Sequence, residues 1–369
     1  TQKKYSVGLM RFANIDALAE VAEKIIKLPP SPDTRLHVCV YHSRFPLLAR
    51  ANLEQQLDEL LNRNNNKAPH DVAFVRGWLN QYPEQHHIIV VIASPVAEVG
   101  RDHDYDWIIV EPSSMRSIIQ VVGRVRRHRR EPYEQPNVFL METNIRHLKN
   151  PDGVAFSRPG FETAFSFKPQ SHFLPDLLSD EQKQRLDSTA RIRPRPNFEY
   201  GNFIYLADLE HERMMQLMLN RSLQQGQETK LKAENNLPVA RFWQNTMQHT
   251  GLMQQYTRFR KSTPEALMCF KSADDNDTLQ LHEFEPKTGT WIKQNSQISP
   301  ITLKPHQQVS LWPQANPVTL LQKQLNHTPQ TSWPFLCTRY LSLSLPTKKD
   351  GSGAMQYWKY EDWIGFVRA

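Results

Sequence analysis

From Tyr5 to Met141 short apolar runs alternate with segments whose apolar residues recur every three or four positions. That alternation leaves the chain few folds. Tyr5–Phe12, Leu36–Tyr41, Ile88–Ala93, Trp107–Val110 and Asn137–Met141 read as strands. Between them, Ile15–Leu28 gathers Leu18, Val21, Ala22, Ile25 and Ile26 on one helical face, and Pro46–Leu61 gathers Leu47, Leu53, Leu57, Leu60 and Leu61. Met115–Arg126 reads as a further helix. Strands separated by helices run parallel in one sheet, so an α/β fold with helices on both faces is expected. Such a sheet places its ligands at the carboxyl ends of its strands.

Polar clusters occupy those ends. Ser94 follows the third strand, and an acidic loop comes next with Glu98, Gly100, Asp102, Asp104 and Asp106. A strand-end hydroxyl suits a nucleic-acid phosphate, because it binds the backbone without reading a base. Gly100 suits a tight turn, and Asp102 can accept from a ribose hydroxyl. The same loop also reads as a solvated or cation-binding run, or as carboxylates paired with nearby arginines. It lacks the length and the final bidentate Glu of an EF-hand, so no metal is assigned. Tyr41-His42-Ser43-Arg44 follows the second strand and suits a phosphate backbone, or equally a helix start capped by Ser43.

Gln120-x-x-Gly123-Arg124-x-x-Arg127 is the sharpest pattern. Arginines three apart share one helical face and can point at one anion. A guanidinium set against a cleaving γ-phosphate is worth roughly 10³–10⁵ in rate. Gly123 would let the helix approach a neighbouring backbone. The bland alternative is a solvated basic face. Arg126, Arg129 and Arg130 are left to that alternative or to phosphate contacts. Arg191-Ile-Arg193-Pro-Arg195-Pro is a stiff basic stretch that lines a nucleic-acid path or serves as a solvated linker.

Composition removes other classes. A mean hydropathy of −0.60, with no long apolar run, leaves no membrane span. Cys39, Cys269 and Cys337 are scattered, which fits a reducing compartment and neither a zinc knuckle nor a disulfide framework. The net charge of +7 permits a polyanionic partner. None of the 13 glycines precedes lysine, so no phosphate-binding loop is present, and Asp58-Glu59 and Asp180-Glu181 lie in helical contexts. The chain opens at Thr1 almost directly into a strand and is expected to be a piece of something larger.

Prolines punctuate 150–202. Asp180–Leu186, capped by Ser179, and Phe203–Leu223, with a Leu209, Met214, Leu217, Met218 face, read as helices. Beyond Pro238, Leu267–Phe270, Leu279–Phe284 and Val309–Trp312 read as strands of a small β or α+β domain. Its tryptophans (243, 291, 312, 333, 358 and 363) stack bases or, by default, pack a core.

YHSRFPLLAR, ASPVAEVGRDHDYDWIIVEPSSMRSIIQ and QVVGRVRRHRR together resemble the CRISPR-associated helicase–nuclease of type I systems, subtype F being nearest. The resemblance is specific over residues 5–145. It implies a second RecA-like domain over 1–148, a connector with a long helix over 149–238, and an accessory domain over 239–369. By it, Arg124 and Arg127 contact the γ-phosphate with Gln120 leading their motif. Gly100, Asp102 and Gly123 fall on the nucleotide side, and His42, Ser43, Arg44, Ser94 and Glu98 on the DNA side. The whole protein would be a cytoplasmic ATP- and Mg²⁺-dependent 3′-to-5′ translocase on single-stranded DNA, with a metal-dependent HD nuclease outside this chain. Its implied partners are an RNA-guided surveillance complex, the adaptation integrase and inhibitor proteins directed against CRISPR defence. The first RecA-like domain and the nuclease are missing here, so the isolated chain is expected neither to hydrolyse ATP nor to cut DNA. Two other readings stand beside this one: a non-catalytic DNA-binding or partner-docking module, and a piece of another superfamily-two RNA or DNA helicase.

Overall fold

A computed structural model describes residues 3–98, 100–157, 160–162, 168–199, 201–219, 223–224, 227–228, 265–272, 278–294, 298–300, 303–312, 316–347 and 358–368. The chain divides into two compact units. Unit 1 holds 1–109, 124–138 and 263–369, and unit 2 holds 110–123 and 139–262.

The alternation seen in the sequence becomes β1 (Lys4–Arg11), α1 (Ile15–Ile25), β2 (Thr34–Tyr41), α2 (Leu47–Leu61), α3 (Ala73–Gln81), β3 (His86–Ala93) and β4 (Trp107–Val110). After α4 (Met115–Val122) comes β5 (Val138–Leu140). β1 pairs parallel with β3, and β3 parallel with β2. This is the helix-covered parallel sheet expected of a RecA-like lobe. Leu18, Ala22 and Ile26 of the α1 region and Leu53, Leu57, Leu60 and Leu61 of α2 are fully buried or nearly so. Each such leucine removed from water is worth about 1.5–3 kcal/mol. Leu47, placed by periodicity on the same stripe, is 41% exposed, because it opens the helix beyond the reach of the core.

The sheet has six strands in the order β12-β2-β3-β1-β4-β5. Its outer member β12 (Val309–Leu311) comes from far along the chain and lies parallel to β2, with Val309 opposite Leu36. That corrects the expectation for Val309–Trp312, which belongs to the first sheet and not to a small separate one. Arg35 holds the return by donating to Gln307 O at 3.0 Å, and Trp312 N donates to Val38 O at 2.8 Å.

The remaining strands of unit 1 are β8 (Glu265–Lys271), β9 (Gln280–Glu285), β10 (Thr290–Lys293), β11 (Ile298–Pro300), β13 (Ser342–Pro346), β14 (Trp358–Glu361) and β15 (Gly365–Arg368). An antiparallel sheet, β10-β9-β8-β13, packs with α10 (Pro317–His327) and α11 (Trp333–Tyr340) around Met268, Leu281, Leu336, Leu343 and Trp358. Leu267–Phe270 and Leu279–Phe284 are strands there, as read. Trp312, Trp333 and Trp358 are core residues, 2%, 7% and 5% exposed, while Trp243 lies outside the described residues.

In unit 2, α4 ends at Val122, four residues earlier than its apolar pattern suggests, with Gly123 as its cap. It is followed through this unit by α5 (Ile145–Lys149), α6 (Leu174–Leu177), α7 (Asp180–Gln184), α8 (Thr189–Ile192), α9 (Leu206–Leu219) and a two-stranded pair, β6 (Leu223–Gln224) with β7 (Gln227–Glu228). Ser179 caps α7 as expected, and Gln182 closes a capping box back onto it. Leu209 is buried, Met214 is 43% exposed, and the side chains of Leu217 and Met218 lie outside the described residues. Arg191 and Arg195 are committed to the buried Glu210 and Asp208, at 2.8 and 3.1 Å. Arg193 of that basic stretch is exposed.

Candidate functional site

β3 delivers Ser94, and the chain bends through a 3-10 turn over Pro95–Glu98 into Gly100. Gly100 has φ +72, in the left-handed region where a side chain is strained, and open space lies around its missing Cβ. Conformation, not crowding, demands glycine there. From Asp104 onward the loop is pinned. Asp104 N donates to Leu61 O at 3.0 Å, and Asp106 exchanges bonds with Val7, donating from its N at 2.8 Å and accepting at its carboxylate at 2.7 Å.

The arginine segment meets this loop through turns that flank a single bridging residue, Val125. Tyr105 forms a parallel bridge with Val125: Tyr105 N donates to Arg124 O and Arg126 N donates to Tyr105 O, both at 2.9 Å. Arg124 and Arg127 therefore do not share a helical face, since α4 has already ended. They converge on the loop because the bridge lays them along it, and Arg126 turns the chain with φ +49.

Arg124 is 7% exposed, and its Nη2 donates to Glu98 O at 2.9 Å. Its Nε is buried and has no hydrogen-bond partner among the described residues. Burial, then the charge of Arg127, lowers its pKa. Arg127 Nε donates to Asp102 Oδ1 at 2.6 Å, with side chains 47% and 63% exposed. His128 beside them accepts at Nδ1 from Arg63 N at 3.1 Å, which places its neutral-form proton on Nε2, 3.1 Å from Asp102 Oδ1. The His128 ring and the Arg127 guanidinium hold the Asp102 carboxyl below its usual value.

Arg129, which sequence left to solvent or phosphate, is a clamp. It donates to both oxygens of the buried Asp104 at 2.6 and 3.0 Å and to Asp106 at 2.7 Å. Arg63 grips Asp106 bidentately at 2.6 and 3.1 Å. Burial pushes the Asp106 carboxyl up, but Arg63 and then the Val7 amide and Arg129 bring it below the usual range. Two of the loop's carboxylates are therefore structural.

The other predicted residues are placed as follows. Glu98 pairs inward with Arg11, a fully buried strand-end arginine, at 2.6 Å. Ser94 is 2% exposed. His42 is fully buried; its Nε2 donates to Ile364 O at 2.7 Å and its Nδ1 accepts from Arg44 N at 3.0 Å. Burial, then Arg44, lowers its pKa to about 3. Arg44 pairs with Asp16 at 2.6 Å, lies 5.1 Å from the Trp358 ring centroid, and accepts at its carbonyl from Phe366 N at 2.9 Å. Ser43 alone of that trio is exposed. In unit 2, Gln120 is exposed on α4, and Gly123 makes no close approach, the nearest atom to an added Cβ being Ile119 O at 3.4 Å.

Sequence reading missed Arg11, Arg63, Glu54, Asp58 and Arg101. A lone charge ending an apolar strand was a usable signal for Arg11, because a buried charge requires a partner. Glu54 and Asp58 stand four apart on α2, a like-charge spacing that invites a cation between them. Among the described residues no group of three or more His, Cys, Asp or Glu could hold a metal, and no helix is long and apolar enough to cross a membrane.

Residues 4–130 match the family model for the C-terminal part of the CRISPR-associated nuclease/helicase Cas3. A Pseudomonas aeruginosa protein named CRISPR-associated nuclease/helicase Cas3 subtype I-F/YPEST is 40% identical over 319 residues, covering 85% of this chain and 28% of that protein. A Pectobacterium atrosepticum protein of the same name is 39% identical over 279 residues, covering 74% and 24%. The chain thus spans about a quarter of the length of these relatives. Among solved structures, a crystal structure of T. fusca Cas3-AMPPNP aligns with 38% of this chain and 15% of its own at 18% identity and a TM-score of 0.27.

Proposed function

From the similarity of this chain to the C-terminal part of the CRISPR-associated nuclease/helicase Cas3 we propose that it supplies the arginine-bearing lobe of an ATP-driven motor that moves 3′ to 5′ on single-stranded DNA. The observation that carries the reading is the buried Arg124 Nε, which has no hydrogen-bond partner among the described residues. An orphaned buried donor costs about 1–3 kcal/mol, and an anionic group brought by a second lobe offsets that cost. Its neighbour Arg127 holds an exposed ion pair with Asp102, a kind worth about 0–1 kcal/mol, so a phosphate can displace that carboxylate cheaply. A developing phosphoryl charge offers a guanidinium far more.

In this reading ATP supplies the free energy, and Arg124 and Arg127 meet its γ-phosphate, with Gln120 and Gly123 on the segment leading to them. Gly100 and Asp102 sit on the nucleotide side. Mg²⁺, the phosphate-binding loop and the HD nuclease belong to other parts of the whole protein, so this chain alone hydrolyses no ATP. On the DNA side, Ser43 is the open contact. His42, Arg44, Ser94 and Glu98 shape the strand ends from within, because their side chains are buried. Recruitment by an RNA-guided surveillance complex, contact with the adaptation integrase and susceptibility to inhibitor proteins belong to the same proposal, as does a cytoplasmic setting.

The test is Arg127→Ala in the whole protein. DNA-stimulated ATP hydrolysis is expected to collapse while the fold and single-stranded DNA binding persist. Unchanged turnover would instead favour a docking module.

A further inference from the structure

Arg101 stands between the two carboxylates of α2. It pairs with Glu54, and its Nη1 donates to Asp58 Oδ2 at 2.7 Å. His103 Nε2 donates to the other oxygen of Asp58 at 2.9 Å, and Tyr41 OH donates to Glu54 at 2.9 Å. Tyr41 is the last residue of β2, one position before His42 and two before the exposed Ser43. One chain of contacts therefore runs from the end of β2, across α2, to the turn holding Gly100 and Asp102.

The arrangement is specific in three respects. Like charges four apart on a helix repel by about 0.2–0.5 kcal/mol, and a guanidinium between them converts that repulsion into a bridge. Arg101 is 23% and Glu54 22% exposed at the side chain, so the pair is less screened than the open Arg127–Asp102 contact. Finally, the loop is anchored before Gly100 by Glu98 with Arg11 and after Asp102 by Asp104 with Leu61. Between these anchors Arg101 binds Glu54 and Asp58 of α2, and His103 binds Asp58 beside it.

We infer that Arg101 is a positioning residue that couples the DNA-side strand end to the nucleotide-side turn through Glu54 and Asp58. The inference rests on the motor reading above. A whole protein with Arg101→Met, in which the aliphatic stem is kept and the charge removed, is expected to retain DNA-independent ATP hydrolysis within twofold. Its stimulation by single-stranded DNA should fall roughly 5-fold or more, the lower end for energetic coupling between sites. Arg101→Lys should restore part of the stimulation, and Glu54→Gln with Asp58→Asn should reproduce the loss without touching Arg101.

A wild-type stimulation ratio in Arg101→Met overturns the inference. So does a proportional fall of basal and stimulated rates together with a lower melting temperature, since that marks a merely structural bridge. If Arg101→Met unfolds the protein, the Glu54→Gln/Asp58→Asn variant decides by the same ratio. Failure of the motor reading is separable: it shows as an Arg127→Ala protein that hydrolyses ATP normally, whereas failure of this inference alone leaves Arg127→Ala inactive and Arg101→Met fully stimulated.

Discussion

Two strand ends of the same sheet carry similar-looking polar clusters, Tyr41–Arg44 after β2 and Ser94–Asp106 after β3, yet they have different fates. The first is sealed. His42 and Arg44 receive the β14–β15 hairpin: Ile364 O, Phe366 N and the Trp358 ring occupy them, and Gly365, at φ +71, passes so close that an added Cβ would lie 2.8 Å from Arg44 O. The second is sealed at its ends, by Arg11 on Glu98 and by Arg63 and Arg129 on Asp106, but open in the middle, where Asp102 and Arg127 meet in solvent. A polar cluster at a strand end thus marks a place where chemistry is possible. Whether it remains available depends on what later segments of chain bring to it.

This contrast can be broken most decisively at Arg127. If the open middle is where the work is done, Arg127→Ala in the whole protein should lower DNA-stimulated ATP hydrolysis by roughly 10³ or more, while unfolding free energy changes by less than about 1 kcal/mol. A steady-state ATPase assay beside a urea titration reads both. At the sealed end of the same loop the order should invert. Glu98→Ala removes the carboxylate paired with the buried Arg11 and should cost about 3–5 kcal/mol in urea unfolding; a cost below 1 kcal/mol would mean that the pair does not seal the loop.

The sealed β2 end should also reveal itself through acid. His42, with its folded pKa lowered to about 3, stays neutral where the unfolded chain takes up a proton below its ordinary value near 6.5. Stability then falls as pH drops from about 6.5 toward 3, by about 1.4 kcal/mol per unit for that group. His37, buried against His87 and also lowered to about 3, adds a parallel slope. Urea midpoints measured across that window should flatten measurably in His42→Gln, and an unchanged slope would deny His42 its buried, neutral role. The smallest effect is expected at Ser43. Ser43→Ala should leave stability within about 0.5 kcal/mol, as exposed positions do, and weaken single-stranded DNA binding in a filter or anisotropy assay.

Much of the first sheet was legible because its strands and helices announce themselves by periodicity: α1, α2 and β1–β4 lie within a few residues of where the apolar pattern places them. α4 was read too long, because its periodicity runs on past Val122 and only Gly123 signals the stop. α3 went unread, since its Phe74, Val75 and Trp78 leave one buried residue in nine. β12 was assigned to the wrong sheet, as three residues give no register and its partner β2 lies some 270 positions away in sequence. At the site, the residue types pointed to arginines pairing with Asp104 and Asp106, which Arg63 and Arg129 do, whereas Arg127 and Asp102 were brought to one place only by the family resemblance. The inward commitment of His42, Arg44 and Glu98 was not, because Ile364, Trp358, Asp16 and Arg11 gain their meaning only in three dimensions.

The late arrival of β12 bears on biosynthesis. A ribosome must have released residue 311, with a further stretch still in its tunnel, before the outer border of β2 can be covered. Until then that border offers unsatisfied amides and carbonyls to any extended chain nearby, a recognised route to clumping. Pairing at such sequence separation is also intrinsically slow to form. Completion of this lobe is therefore expected to lag its own translation, which makes its nascent form a natural client for chaperones that shield exposed strand borders.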